Sequence, residues 1–212
     1  MSERFEALSE EKQKRIMDAC LHEFAEHGYL NASTNRIVGA ASISKGLLFH
    51  YFGNKKKLFL YVLDFVINTM MTQMNKYTLP LSGDFFERVG DYTLIKMRIG
   101  IEEPEMYHIL YDVYLNLPKD IKNELMQRYG AILSDQRKAL VSTIDSSRLK
   151  EGVTPEMAVN VIVDFLDGYY KRNIEHYKTM TPDELLLHVG EMKGDIMGYL
   201  DIIRRGIYKD VE

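Results

Sequence analysis

The 212-residue chain has one cysteine, Cys20, and only five prolines, and it has no uninterrupted apolar run of the roughly 18 residues that a membrane-spanning helix needs. A single thiol excludes an intrachain disulfide framework and a zinc site built from several cysteines, and it fits a reducing compartment. The first residues, Met1-Ser2-Glu3-Arg4-Phe5-Glu6, lack the apolar stretch of a secretory signal, so a cytoplasmic location is expected. Strand-like alternation is missing too, whereas apolar spacings of three and four recur along most of the chain. The expected fold is therefore all-α, with about nine helices, and 46% hydrophobic residues suffice to fill a core.

Acidic side chains are missing from one window. Between Asn31 and Leu58 stand five basic residues, Arg36, Lys45, Lys55, Lys56 and Lys57, and no acid, while residues 59–212 carry 18 basic against 24 acidic. A net charge of -4 argues against nucleic-acid binding over the whole surface, yet it conceals this one basic window.

Helix signals divide the chain. The first helix is expected from about Glu10 to His27, with Ile16, Ala19/Cys20 and Phe24 on one face and Gly28 as its stop. A short helix should follow Ser33 or Thr34, whose hydroxyls suit a first helical turn. Another begins near Ser44 or Lys45 and ends before Gly53, and Asn54 then caps a long helix. After the break at Leu79-Pro80-Leu81-Ser82-Gly83, helices are expected at about 84–100, 104–115 and 118–144. Thr154-Pro155-Glu156 opens a further helix with a capping hydroxyl and proline at the first position. Thr181-Pro182-Asp183-Glu184 opens the last one with a capping box.

Residues 34–52 read Thr-Asn-Arg-Ile-Val-Gly-Ala-Ala-Ser-Ile-Ser-Lys-Gly-Leu-Leu-Phe-His-Tyr-Phe: two short helices around a tight turn, with helix-turn-helix spacing. Ile37, Ala40/Ala41, Ile43, Leu48 and Phe52 are expected inside. Lys45, Leu47, Phe49, His50 and Tyr51 remain on the outward face, groups suited to phosphates and base edges. Gly46 allows close backbone approach.

Together with Gly28-Tyr29, Lys55 and Leu58, this run resembles the tetracycline-repressor (TetR) family of transcriptional regulators over about 30 residues. Ser42 departs from the family's turn glycine, and Lys56-Lys57 replace the acids common there. The resemblance implies phosphate contact by Thr34, Ser44, His50, Tyr51 and Lys55, and base-edge or close-backbone contact by Lys45, Gly46, Leu47 and Phe49. Arg36 joins them as a cation of the same window. It also implies a homodimeric repressor acting on double-stranded DNA, at a palindromic operator, and released by a small-molecule effector. The expected division is a DNA-binding domain at 1–57 and an effector-binding and dimerisation domain at 58–212.

The later helices fit that division. Residues 157–170 are apolar on almost every face, and the last helix alternates threes and fours through Leu185, Val189, Met192, Ile196, Tyr199/Leu200, Ile203 and Ile207. Gly190, Gly194 and Gly198 recur every four residues and permit a close helix crossing. The expected interface comprises Val161, Phe165, Leu166, Met192, Ile196, Tyr199, Leu200 and Ile203. Flexible thioethers and tip-polar aromatics, Met70, Met74, Met97, Tyr107, Tyr111, Tyr114, Met126, Tyr129, Phe165 and Tyr169, are candidates to line a pocket for an apolar or amphipathic effector.

Catalytic and metal patterns fail. His22 and His27 of a zincin-like run are five residues apart and point about 140° away from each other on a helix. Glu105 and His108 have di-iron spacing, but that site needs a second such pair and two more glutamates. With no phosphate loop or nucleophile elbow, no cofactor, metal or catalytic residue is expected. A helical enzyme and a protein-binding adaptor are the rival readings, and the adaptor leaves the acid-free window unexplained.

Overall fold

The computed structural model describes residues 3–76, 84–116, 118–177 and 179–209. Among them are ten α-helices, one 3₁₀ turn at Ser146–Arg148 and no strand beyond an isolated bridge between Leu149 and Tyr208. The break predicted at Leu79–Gly83 lies outside the described residues, as do the side chains of Tyr114, Leu185 and Val189.

The chain packs as two compact units, Met1–Lys76 with Glu103–Glu124, and Tyr77–Glu102 with Leu125–Glu212. In the first, α1 (Glu3–Glu6) was not expected, and α2 (Glu10–Asn31) runs past its predicted stop. Gly28 still breaks the helix, with φ 64° and ψ 171°, and one more turn follows, in which the Ala32 amide donates to the Gly28 carbonyl at 3.0 Å. The positive φ favours glycine there, and a β-carbon would lie 2.7 Å from the Asp112 carboxylate, which would have to move aside. Then come α3 (Thr34–Ala40), α4 (Lys45–Phe52) and α5 (Lys55–Lys76), and α7 (Pro104–Asn116) lies against α2 and α5. Phe24 meets Phe59 edge-on at 4.9 Å between ring centroids, and Tyr29 approaches the same Phe59 at 4.8 Å. Phe24 and Phe59 are each 1% exposed, and burying such a ring contributes about 2–3 kcal/mol.

In the second unit α6 (Phe85–Glu102) packs chiefly on α10 (Pro182–Ile207), with α9 (Pro155–Tyr177) beside α10. Gly90 on α6 leaves room for the Met197 side chain of α10, into which any β-carbon would run. α8 (Lys119–Ser142) gives its first residues to the first unit and the rest to the second. The predicted caps form: Thr181 Oγ1 accepts from the Glu184 amide at 3.3 Å while the Thr181 amide donates to Glu184 Oε2 at 2.7 Å, and Thr154 Oγ1 accepts from the Met157 amide at 3.2 Å. The C-terminal end is pinned where Arg204 meets Asp84 at 2.8 Å and the Lys209 amide donates to the Arg148 carbonyl at 2.8 Å.

Candidate nucleic-acid interface

Helices α3 and α4 are locked together from inside. Ile37, Ala41, Leu48 and Phe52 are buried, at the spacing that puts them on facing sides of two short helices. Ala40, expected inside beside Ala41, is exposed, and Ile43 is only half-buried. Seven residues make barely two turns, so Ala41 alone completes the face that Ile37 begins. Between the helices Ser42 takes φ 51°, the left-handed conformation that the family's glycine adopts freely. The turn is held by the Ile43 amide donating to Val38 O at 3.1 Å. Ser44 caps α4, its hydroxyl accepting from the Leu47 amide at 3.2 Å, and Asn54 caps α5 by accepting from the Lys57 amide at 2.9 Å. Ser33 makes no such side-chain cap on α3. Its amide donates instead to Glu23 Oε1 at 2.6 Å.

The outward face of α4 presents Lys45, Gly46, Leu47 and His50, with Phe49 half-buried. Lys45 Nζ hangs 6.0 Å from the Phe49 ring centroid, and around Gly46 the space is open enough for a backbone to approach. Tyr51 points inward and is only 7% exposed. Thr34 is half-buried at the start of α3.

Two of the cations expected at the DNA are also structural. Arg36 forks onto Glu23, with Nη2 2.6 Å and Nε 3.0 Å from Oε1, and its Nη2 reaches the Asn31 carbonyl at 3.1 Å. Burial alone would raise the Glu23 pKa, but the Arg36 and Ser33 hydrogen bonds outweigh it and hold the carboxyl below its ordinary range. Lys55 Nζ donates to the Leu30 carbonyl at 3.1 Å and sits 5.0 Å over the Tyr29 ring, its pKa lowered by burial. Sequence reasoning missed Glu23. Its signal was a carboxylate on the stripe of Ile16, Cys20 and Phe24, where an acid stays only if something pairs it.

The positions proposed for an effector fall into both units. In the first, Met70 is buried and Met74, Tyr107 and Tyr111 are half-buried. In the second, Met97 and Tyr169 are buried in the core with Phe165 packed against it, Tyr129 is half-buried and Met126 is exposed. A groove of about 560 Å³ in the first unit is lined by Glu6, Tyr61, Asp64, Phe65, Thr69 and Lys76 among others, and includes none of the ten.

The positions proposed for an interface divide as well. Met192, Ile196 and Leu200 are taken up by the chain's own core, against which Phe165, Leu166 and Ile203 pack half-buried. Val161 and Tyr199 stand 49% and 47% exposed, and Ile202, not singled out from the sequence, 67%. Gly190, Gly194 and Gly198 face open space.

A rigid helix pair with a cationic, acid-free outer face defines a helix-turn-helix DNA-binding protein. Residues 16–62 match the family of bacterial regulatory proteins named for tetR. The chain is 26% identical over 167 residues to the HTH-type transcriptional repressor AcnR of Corynebacterium efficiens, covering 76% of this chain and 80% of that one. It is 27% identical to the fatty acid metabolism regulator protein of Bacillus subtilis, covering 74% and 82%. The crystal structure of a TetR family transcriptional regulator from Chloroflexus aurantiacus has the same fold, with a TM-score of 0.77 at 24% identity over 98% of both chains. Residues 16–62 therefore carry a tetR-family DNA-binding module, and the chain as a whole has the fold of TetR family transcriptional regulators. Among the described residues no helix is long and apolar enough to cross a membrane.

Proposed function

We propose that this regulator is a cytoplasmic homodimeric repressor that binds a palindromic operator and leaves it when an apolar or amphipathic small molecule binds. The observation that carries the reading is the outer face of α4, where Lys45, Gly46, Leu47 and His50 are exposed on a helix fixed from behind by Leu48 and Phe52. Lys45, Gly46, Leu47 and Phe49 occupy the base-facing turn, since the N-terminal residues of a recognition helix enter the major groove. His50, Ser44 and Thr34 serve the flanking phosphates, with Arg36 and Lys55 adding positive charge while they brace the head. Residues 1–57 read DNA, and residues 58–212 carry dimerisation and effector binding.

One helix-turn-helix reads only a few base pairs, and pairing two across half-sites supplies the affinity. The open face of α9 and α10, with Val161, Tyr199, Ile202 and the three glycines, offers the apolar surface and close approach for that pairing. An effector can release DNA only by binding one spacing of the two heads better than the other. No catalytic role is assigned to any residue.

The test is fluorescence anisotropy on duplexes from upstream of the protein's own gene, with genome-wide site selection if those fail. Lys45→Ala and His50→Ala should each weaken binding about tenfold or more, and binding should fall steeply with salt. Retention of full affinity by both variants would sink the assignment of α4 as the reading helix.

A further inference from the structure

Residues before Glu10 belong to none of the elements expected from the sequence and lie outside the matched span 16–62, yet they are built into the reading head. Phe5 is 1% exposed. Its ring lies 5.0 Å from Phe52, 5.5 Å from Tyr61 and 6.1 Å from Tyr51, centroid to centroid. Two of those partners are on α4 itself. The short turn that carries Phe5 is closed by Gln13, whose side-chain amide donates to the Glu6 carbonyl at 3.0 Å and the Leu8 carbonyl at 2.8 Å. A buried aromatic anchor and two hydrogen bonds thus hold the neighbouring residue in place before any DNA arrives.

That neighbour is Arg4. It is exposed, and its Nη1 donates to His50 Nε2 at 3.4 Å. An imidazole brings no negative charge to the guanidinium, and among the described residues no carboxylate is paired with it. His50 lies about one turn beyond Lys45-Gly46-Leu47 on the same outward face, where a helix seated by its N-terminal turn meets the groove wall and not the base edges.

We infer that Arg4 is a phosphate-binding residue of the reading head, delivered to the DNA backbone beside His50 by the Phe5 anchor. The inference rests on the proposed DNA-binding role of α4. A guanidinium in this place meets a phosphate with two parallel donors, and because the arm is already ordered it loses little freedom on binding. The contact adds affinity and register without sequence information.

The experiment compares the full-length protein with Arg4→Gln, Arg4→Lys, Phe5→Ala and Lys45→Ala on one duplex that the unaltered protein selects, by anisotropy from about 50 to about 200 mM salt. Arg4→Gln should weaken binding about tenfold or more, and should flatten the slope of log affinity against log salt by about two, roughly 0.9 for each lost phosphate contact in a dimer. Arg4→Lys should keep most of the slope. The order of preference among single base-pair changes in the duplex should not move. The melting temperature of Arg4→Gln should match that of the unaltered protein, which separates the lost contact from misfolding, and Phe5→Ala should reproduce the flattened slope wherever it remains folded. Unchanged affinity and slope in Arg4→Gln, beside a weakened Lys45→Ala, would overturn the assignment of Arg4 and leave the function of α4 standing. An altered base preference would overturn the phosphate assignment in favour of base reading. If neither variant has an effect, the reading of α4 fails, and this inference fails with it.

Discussion

Removing the charge of Glu23 tests the internal brace of the reading head. The carboxylate is 5% exposed and takes a backbone amide and a forked guanidinium, at 2.6 Å each for the Ser33 amide and Arg36 Nη2. Breaking a fully buried pair costs about 3–5 kcal/mol. Here the Arg36 side chain is 52% exposed and regains water, and glutamine retains one acceptor, so Glu23→Gln should cost about 2 kcal/mol. For a chain of this size that lowers the melting temperature by about 4–8 °C at pH 7. The pH dependence has a definite sign. The folded carboxyl titrates below its ordinary value of 4.5, so its stabilising contribution is fully present above that value and is lost as pH falls through the folded pKa. Melts followed by circular dichroism should therefore show a gap between the two proteins that is full at neutral pH and narrows on acidification below about 4.5. Equal melting temperatures at pH 7, or a gap that widens in acid, would refute the account of Glu23 as an ionised brace.

Two further changes probe other parts of the molecule. Ser42→Gly relieves the left-handed backbone at φ 51° and should raise the unfolding free energy by about 0.5–1 kcal/mol in a urea titration, and no gain would mean the turn is unstrained. Ile202→Glu places a charge on the open α10 face and, if the proposed pairing through that face holds, should convert the dimer to monomer in sedimentation experiments, whereas a dimer of undiminished affinity would place the interface elsewhere.

The parts of the fold that were legible in the sequence are those governed by local rules. Ile37, Leu48 and Phe52 repeat at helical spacing, and Thr181 with Glu184 needs only a three-residue offset to form its box. What was not legible depends on partners far along the chain. The burial of Phe5 is decided by rings at Tyr51, Phe52 and Tyr61, which nothing near residue 5 announces. Tyr51 and His50 are adjacent on a helix with apolar residues on several sides, so the sequence alone does not decide that the first turns inward and the second outward. Met192, Ile196 and Leu200 form a clear apolar stripe, but periodicity says only that a stripe will be covered, not which surface covers it. Here the covering comes from within the chain itself.

The same distinction separates function from packing at residue 57. The division at 57/58 follows motif content, yet the helix that begins at Pro104 belongs by packing to the unit that holds the helix-turn-helix. His22 meets Glu105 at 3.0 Å, Lys56 meets Glu124 at 3.3 Å, and the Asp112 carboxylate occupies the space left by the missing side chain of Gly28. Close-packed interiors transmit displacement with little slack, so a shift of α7 bears on α2 at the turn that precedes α3. Tyr107 and Tyr111, proposed as effector-contacting residues, are both on α7. A ligand that touches them would thus act on the head through α2 as well as through the long helix that starts at Lys55.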